Sequence, residues 1–381
     1  MNSKIKFHRD TPTKKEEEKR EVHSENTGGG LLLPTGNSLL NLALSRQVSG
    51  GYGSGRLVNA IGDSHTGKTI LALTTLAEMA NDHKWDDYDL CYYDSEFAQS
   101  FDIAKLFGSK LKERMQEAWL REVKMMNLGK TLDAYEPPHT IQDYYIRTLH
   151  KIKDEKPFVT ILDSFDAITS DQEIKRAEDL RKNKQEKGSF KTEKPKIASE
   201  MFRVITKGLS NSQSLVIIIS QTRDNIDPIS MKKKERSGGR ALTFYASHIY
   251  WLAKASSISK KVKIRGEERT IKTGAQIKAK IEKTKLTGWE GTIEFPIYRQ
   301  IGVDDIGSSI DFLIKNSEHW KKDKGIYVVD SLRLQGAKSK LIQQIDYDKD
   351  LQQEIKKQLQ EAWDSNERLS SIQRRCRFSE D

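Results

Sequence analysis

The chain has 381 residues, and 36% of them are hydrophobic, which is enough to fill one large core with a smaller satellite. Lys and Arg number 65 against 55 for Asp and Glu, and this modest basic excess favours a polyanionic partner such as nucleic acid. Neither Cys91 nor Cys376 belongs to a C-x-x-C pair, which argues against a disulfide framework or a zinc ribbon. The charged start and the lack of eighteen consecutive apolar residues predict a protein of the cytoplasm, with no secretory signal and no membrane partner.

The first 30 residues have the composition of a flexible charged arm. They are rich in Lys and Glu and end in Gly28-Gly29-Gly30, so they bury too little apolar surface to order themselves alone. Within this arm we predict at most a short helix around Lys14–Val22.

Four short apolar runs follow, each rich in β-branched or aromatic residues and each too short for a helix. None alternates with polar residues, which is the pattern of strands buried on both faces of a parallel sheet. The runs are Leu57–Ile61, Leu90–Tyr93, Phe158–Leu162 and Leu215–Ile219. Helix-like stretches between them are Lys68–Ala80, Ile141–Lys153 and Lys196–Leu209. The sequence therefore predicts an α/β fold with a central, mostly parallel sheet flanked by helices.

Beyond about Pro296 the pattern changes to a small mixed region with a long charged helix, Asp348–Asn366. We therefore predict three parts: the arm at 1–30, an α/β core at 31–296, and a small C-terminal α+β subdomain with its tail at 297–381.

The segment 62–69 fits G-x-x-x-x-G-K-S/T, the pattern of a nucleotide-binding P-loop, and it lies between a predicted strand and a predicted helix. Its glycines permit a wrapped turn whose backbone N–H groups point at phosphate oxygens, and the following helix adds its positive end. Lys68 would reach the β and γ phosphates of ATP, and Thr69 would ligate Mg²⁺. A Gly-rich loop arising by chance is the alternative, which the flanking strand and helix disfavour. The predicted nucleotide-binding residues are Gly62, Asp63, Ser64, His65, Thr66, Gly67, Lys68 and Thr69.

Every predicted strand ends in polar residues, and in open α/β sheets such ends converge on one ligand site. Asp163 lies where a carboxylate would bind Mg²⁺ opposite Thr69, although it could instead cap a helix. Glu96 could polarise the attacking water, since a carboxylate is a natural general base. Gln221 could touch the γ-phosphate and report its presence to the residues that follow, with loop capping as the alternative.

Two basic segments follow strands of this predicted site. The segment 222–239 begins directly after Gln221, and Lys175–Lys196 contains nine Lys or Arg against four acidic residues. Charge runs are usually solvated surface, which is the simpler interpretation. Their positions after the strands favour a second interpretation, in which they contact the phosphate backbone of DNA in response to the nucleotide.

Several of these runs resemble the RecA recombinase family, including its T-even phage members. Gly55-Arg56-Leu57-Val58 is similar to the family's strand leading into the P-loop, and Thr35–Leu44 is similar to the segment upstream of it. Tyr93-Asp94-Ser95-Glu96-Phe97 is similar to the phage form. The most specific likeness is Gly238–Ser247, which is close to the stretch that ends the family's second DNA loop.

The resemblance implies a RecA-like P-loop ATPase core in which Glu96 is the catalytic carboxylate. It assigns 174–196 to the first DNA-binding loop and 222–239 to the second, and it implies that Phe244 lies on a subunit interface. The DNA-binding residues that it implies are Arg176, Arg181, Lys182, Arg223, Lys232, Lys233, Lys234, Arg236, Gly238, Gly239 and Arg240.

Lys283 and Lys285 fall where RecA presents two lysines to the γ-phosphate bound by a neighbouring subunit. There they would stabilise charge on the transferring phosphoryl group. The chain departs from the family in its longer, more charged first loop, in the lack of a match to the polymerising helix within residues 1–30, and in the basic tail Arg374–Arg377.

As a whole, the resemblance implies a DNA-dependent ATPase that uses ATP and Mg²⁺, assembles as a filament on single-stranded DNA and pairs it with double-stranded DNA. ATP would lie at the interface between subunits of the homo-oligomer, in the cytoplasm of a bacterium or of a phage-infected host. Single-strand-binding or loader proteins would be further partners. Two alternatives stay open: a ring motor of the same fold, such as a helicase, and a recombination mediator that binds ATP without strand-exchange activity.

Overall fold

The computed structural model describes residues 30–98, 101–127, 131, 135–182, 193–224, 234–236 and 239–372. The predicted N-terminal arm, apart from Gly30, and the basic tail therefore lie outside the described residues.

The segment before the P-loop forms a small buried layer. Strand β1 (Leu32–Leu33) pairs antiparallel with β2 (Tyr52–Gly53), and helix α1 (Ser38–Ser45) lies between them in sequence with all of its residues buried. The Asn37 side chain caps α1 by accepting a hydrogen bond from the backbone N–H of Leu40.

Four parallel strands form the centre of the main sheet, and they correspond to the four predicted runs. They are β3 (Arg56–Gly62), β4 (Asp89–Asp94), β5 (Phe158–Asp163) and β6 (Leu215–Asp224). Parallel pairing in the order β3-β6-β5-β4 brings all four carboxyl ends to one edge. The predicted α/β fold with a mostly parallel sheet is confirmed.

Helices cover both faces of this sheet, which is why its strands are apolar without alternation. Val58 and Ala60 of β3 pack in one core cluster, whereas Leu57 and Ile61 pack in the other, on the opposite face. The helices are α2 (Lys68–Asn81), α3 (Ile103–Phe107), α4 (Ser109–Met125), α5 (Ile141–Lys153), α6 (Asp171–Arg181), α7 (Glu193–Ser212) and α8 (Gly239–Tyr245), with a 3-10 turn at His83–Trp85.

A further set of strands widens the sheet beyond β3: β8 (His248–Ile264), β9 (Glu267–Thr284), β10 (Gly291–Tyr298) and β11 (Gly302–Val303). The short strand β7 (Lys234–Arg236) instead pairs antiparallel with the end of β6. Strand β8 is parallel to β3, and β9, β10 and β11 follow it antiparallel. The predicted boundary at 296 falls inside β10, which pairs with β9 along its whole length, so the sheet continues past that residue.

The C-terminal part is an α+β layer. It contains α9 (Asp305–Asn316), the antiparallel strands β12 (Trp320–Asp323), β13 (Ile326–Val329) and β14 (Leu334–Ala337), a 3-10 turn at Asp330–Leu332, and the helices α10 (Lys338–Asp346) and α11 (Lys349–Ser370). The predicted long charged helix is thus α11, capped by the Asp348 side chain. Trp363 of α11 packs on Phe312 and on Trp289, with ring centroids 5.8 and 5.4 Å apart. Within the part of the chain that the structure describes, no helix combines the length and apolar character needed to cross a membrane.

Candidate nucleotide-binding site

The P-loop is a turn between β3 and α2. Gly67 precedes α2 with φ of 84°, a left-handed conformation that suits glycine, and an added Cβ would lie only 2.3 Å from Ile297 Cδ1. The Thr66 hydroxyl donates to the Asp63 carbonyl at 2.8 Å and closes the turn. The turn leads directly into the first turn of α2, whose backbone N–H groups would stabilise an anion.

Lys68 is buried, and backbone carbonyls of the P-loop hold its side chain. Its Nζ donates to the carbonyls of Gly62 and Asp63 at 2.9 and 2.7 Å. Burial lowers the pKa of Lys68, and the nearby Asp163 and Glu96 carboxylates oppose that effect. The protein therefore offsets only part of the cost of burying the Lys68 charge, and a bound phosphate would offset more of it.

Asp163 ends β5 directly opposite the start of α2. Its Oδ2 accepts hydrogen bonds from the Thr69 hydroxyl at 2.5 Å and from the Tyr92 hydroxyl at 3.2 Å. Burial raises its pKa to about 6, Thr69 opposes that rise, and Glu96 adds to it. A buried carboxylate beside a hydroxyl is the donor set that Mg²⁺ prefers. The alternative of a helix cap does not hold, because the next helix, α6, is capped by Ser170 instead.

Lowering the pH from 7 to 5 is expected to stabilise the nucleotide-free protein through Asp163. Its pKa is raised from an ordinary value of 3.8 to about 6, so the folded state binds this proton before the unfolded chain does. The resulting stabilisation is fully present below about pH 4 and is lost as the pH rises through about 6. Two pKa units correspond to on the order of 2–3 kcal/mol. Thermal unfolding of the wild type and of Asp163→Asn, without Mg²⁺ or ATP, measures the effect. A difference in Tm between the two proteins that stays constant from pH 5 to 7 would contradict it.

Glu96 and Gln221 meet at the same edge of the sheet. Glu96 Oε1 accepts hydrogen bonds from Gln221 Nε2 at 2.7 Å and from the Ser164 hydroxyl at 2.5 Å. Glu96 is exposed, so its carboxylate is open to water. Ser164 is fully buried, and its hydrogen bond holds the carboxylate in place. The structure thus joins the predicted general base to the predicted γ-phosphate sensor.

Three further residues of this network were not singled out as site residues from the sequence. Ser164 orients Glu96, Tyr92 donates to Asp163, and Asp166 Oδ2 accepts a hydrogen bond from the backbone N–H of Gln221 at 2.8 Å. The signal for Ser164 was its position next to Asp163 at a strand end. The contact of Asp166 depends on the path of the turn after β5, which no sequence pattern specifies.

Lys283 and Lys285 lie towards the amino end of β3, whereas the P-loop follows its carboxyl end. Thr284 pairs with His248, the first residue of β8, whereas Gly62 pairs with Leu252, four residues further along that strand. Four residues of strand correspond to about 13 Å. Lys283 Nζ donates to the carbonyl of Thr243 at 2.7 Å, and Lys285 is exposed.

The described residues at both ends of the first predicted DNA loop, 174–196, are helical, and residues 183–192 of that loop lie outside the described part of the chain. Helix α6 continues to Arg181, α7 begins at Glu193, and only residues 182–192 separate them. The Ser170 and Glu173 side chains form a reciprocal cap that starts α6. Arg176 lies in α6 and pairs with Glu193 at 3.5 Å, which ties the two helices together.

The second predicted DNA loop begins and ends in regular structure. Strand β6 continues to Asp224 and pairs with β7, with Thr222 opposite Arg236. Of the predicted DNA-binding residues, Arg181 ends α6, Lys182 follows it, Arg223 lies in β6, Lys234 and Arg236 lie in β7, Gly239 and Arg240 open α8, and Lys232, Lys233 and Gly238 fall outside the described residues. Phe244 in α8 is 72% exposed.

Comparison with known proteins agrees with this architecture. The family model "RecA N-terminal domain" matches residues 148–304, which include Asp163, Gln221 and Lys283. Protein RecA of Brucella anthropi is 28% identical over 285 residues, which cover 74% of this chain and 67% of that protein. Protein RecA of Brucella canis and that of Brucella melitensis are each 28% identical over 283 residues, covering 74% of this chain and 66% of theirs. The chain thus spans about two thirds of the length of these relatives. In the matched residues and in fold, the chain is thus similar to proteins of the RecA family.

Proposed function

We propose that this protein is a DNA-dependent ATPase that uses ATP and Mg²⁺, forms filaments on single-stranded DNA, and carries out homologous pairing and strand exchange with double-stranded DNA. The observation that supports this most directly is the pair of hydrogen bonds on Glu96. They connect a water-facing carboxylate beside the P-loop to Gln221, the residue that leads into the second basic segment.

In this proposal the P-loop holds the triphosphate through its backbone N–H groups and through Lys68. Thr69 and Asp163 would hold Mg²⁺, which would neutralise negative charge on the phosphates. Glu96, oriented by Ser164, accepts the proton of the attacking water. Binding of the γ-phosphate draws Gln221 away from Glu96, and the same displacement alters the start of the segment 222–239.

The distance between the lysine pair and its own P-loop supports a site shared between subunits. Because Lys283 and Lys285 lie away from the carboxyl end of β3, where the P-loop begins, they would act on the γ-phosphate bound by a neighbouring copy. A head-to-tail interface of this kind generates filaments or rings. The side chain of Phe244 is exposed and its backbone carbonyl accepts a hydrogen bond from Lys283, which fits a position on that interface.

Measurement of steady-state ATP hydrolysis with and without single-stranded DNA, combined with negative-stain images of the same samples, tests this function. We expect a rate that rises with DNA and helical filaments that require ATP. Closed rings without filaments would favour a ring motor such as a helicase. A rate of hydrolysis that does not change with DNA would favour a recombination mediator that binds ATP without strand-exchange activity.

Mixing two inactive variants is expected to restore ATP hydrolysis if the site is shared. Glu96→Gln removes the base on the P-loop side, and the pair Lys283→Ala with Lys285→Ala removes the cations on the other side. In an equimolar random filament, about a quarter of interfaces combine an intact Glu96 with intact lysines, so the DNA-stimulated rate should recover to about a quarter of the wild-type rate.

The matched control mixes Glu96→Gln with Lys68→Ala, two variants altered on the same side of the interface. Every interface then contains one defective P-loop side, so no recovery is expected. If the first mixture stayed as inactive as the control while both variants bound DNA, the lysines would not act across the interface.

A further inference from the structure

The P-loop touches the start of the second basic segment directly. Gly62 and Gln221 are register partners on the adjacent parallel strands β3 and β6, so the residues that follow them, Asp63 and Thr222, lie side by side. The Thr222 hydroxyl donates a hydrogen bond to Asp63 Oδ1. This contact is separate from the Glu96–Gln221 contact.

Two of the contacts of Asp63 connect the P-loop to the second basic segment. Its backbone carbonyl accepts a hydrogen bond from Lys68 Nζ at 2.7 Å, and its carboxylate accepts one from Thr222. One residue thus joins the phosphate-binding lysine to the first residue of the segment 222–239.

A bound triphosphate would weaken both of these contacts. Phosphate oxygens compete with the Asp63 carbonyl for Lys68, since a charge-assisted hydrogen bond to phosphate is stronger than one to a neutral carbonyl. They also place negative charge near the Asp63 carboxylate, and like charges at short range repel. Both effects act on Asp63 in the direction that releases Thr222.

We propose that the Asp63–Thr222 hydrogen bond is a latch that holds the start of the segment 222–239 in a low-affinity arrangement for DNA until a nucleoside triphosphate enters the P-loop. The proposal rests on the proposed function and names a second regulatory contact of the same site. The latch acts in the nucleotide-free state, whereas Gln221 acts when the γ-phosphate is present.

Fluorescence anisotropy with a labelled oligothymidine tests the latch in the full-length protein. Binding is measured without nucleotide and with Mg²⁺ and a non-hydrolysable ATP analogue, and the ratio of the two affinities is the readout. In Thr222→Val the hydroxyl is lost at nearly constant shape, and we expect the nucleotide-free affinity to rise about fivefold, with the ratio falling by the same factor. Thr222→Ser keeps the hydroxyl and should retain the wild-type ratio. Thr206→Val removes a hydroxyl that donates to the Phe202 carbonyl within α7, away from the P-loop, and controls for the exchange itself.

Asp63→Ala is the second variant, and only its nucleotide-free affinity for DNA is compared, so a loss of ATP binding does not obscure the result. We expect the nucleotide-free affinity to rise in Asp63→Ala as well, and the gain in the double variant to be less than the sum of the two, since both changes break the Asp63–Thr222 contact. Unchanged nucleotide-free affinity in Thr222→Val, or fully additive gains, would overturn the latch. A wild-type ratio near one would instead overturn the proposed function and the latch with it, so the two failures are distinguishable.

Discussion

Replacement of Lys68 by alanine is expected to abolish ATP hydrolysis. The Lys68 ammonium group is the cation that the fold places within the turn, between the carbonyls of Gly62 and Asp63. Loss of one preorganised charge that stabilises a transition state typically costs a factor of about 100 to 1,000, and here weaker binding of the phosphates adds to it. A coupled assay of phosphate release with saturating single-stranded DNA measures the rate, and titration with a fluorescent ATP analogue measures the binding.

Lys124→Ala is the matched control, because Lys124 is an exposed lysine on α4 and its removal changes the net charge equally. It should hydrolyse ATP at the wild-type rate. If purified Lys68→Ala hydrolysed ATP normally, the assignment of the segment 62–69 as the phosphate-binding loop would be wrong.

Glu96→Gln is expected to separate hydrolysis from binding. The amide keeps the shape of the side chain and can still accept a hydrogen bond from Ser164, but it cannot take a proton from water. General-base catalysis contributes a factor of about 100 to 10,000, so kcat should fall by about that much. ATP affinity should change little, because Glu96 is not among the groups that hold the phosphates. The variant should therefore form long-lived filaments with ATP, visible in negative stain after the wild-type filaments have disassembled.

Glu113→Gln, an exposed carboxylate on α4, is the control for the loss of one negative charge. It should leave both kcat and filament lifetime unchanged. An unchanged kcat in Glu96→Gln would remove Glu96 from the reaction, whereas an equal loss of hydrolysis and ATP binding would show that it supports the P-loop instead.

The sequence predicts the central sheet because a strand that is covered on both faces is apolar at every position, and such a run can be recognised within a few residues. Leu57–Ile61 and Phe158–Leu162 are continuous apolar runs, and they became β3 and β5 with one or two residues added. The meeting of Glu96 and Gln221 also follows from that pattern, since parallel strands bring their carboxyl ends to one edge.

The contacts that depend on strand order and loop path were beyond the sequence. The hydrogen bond between Asp63 and Thr222 requires β3 and β6 to be neighbours in register, and no local pattern gives that order. Gln221 was predicted to contact phosphate, whereas its contact with Asp166 depends on the turn after β5.

For the first basic segment, 174–196, the sequence does contain a local signal for a helix. The interpretation as a loop depended on its charge instead. Ser170 and Glu173 have the spacing of a reciprocal helix cap, which predicts a helix beginning at Asp171. Counting lysines and arginines over 174–196 could not distinguish a helix from a loop, because both expose such residues to solvent.

The central position of β3 also determines when the nucleotide site can form during synthesis of the chain. The Asn59 side chain of β3 donates to the Ile218 carbonyl of β6, 159 residues later, and the other neighbour, β8, follows β6 in the chain. The strand that presents the P-loop is therefore unpaired on both sides until most of the chain has left the ribosome. Long-range pairing of this kind makes folding slow and leaves the apolar strand exposed to aggregation. A nascent chain that stops before Leu215 has a complete P-loop sequence but lacks both strands that pair with β3.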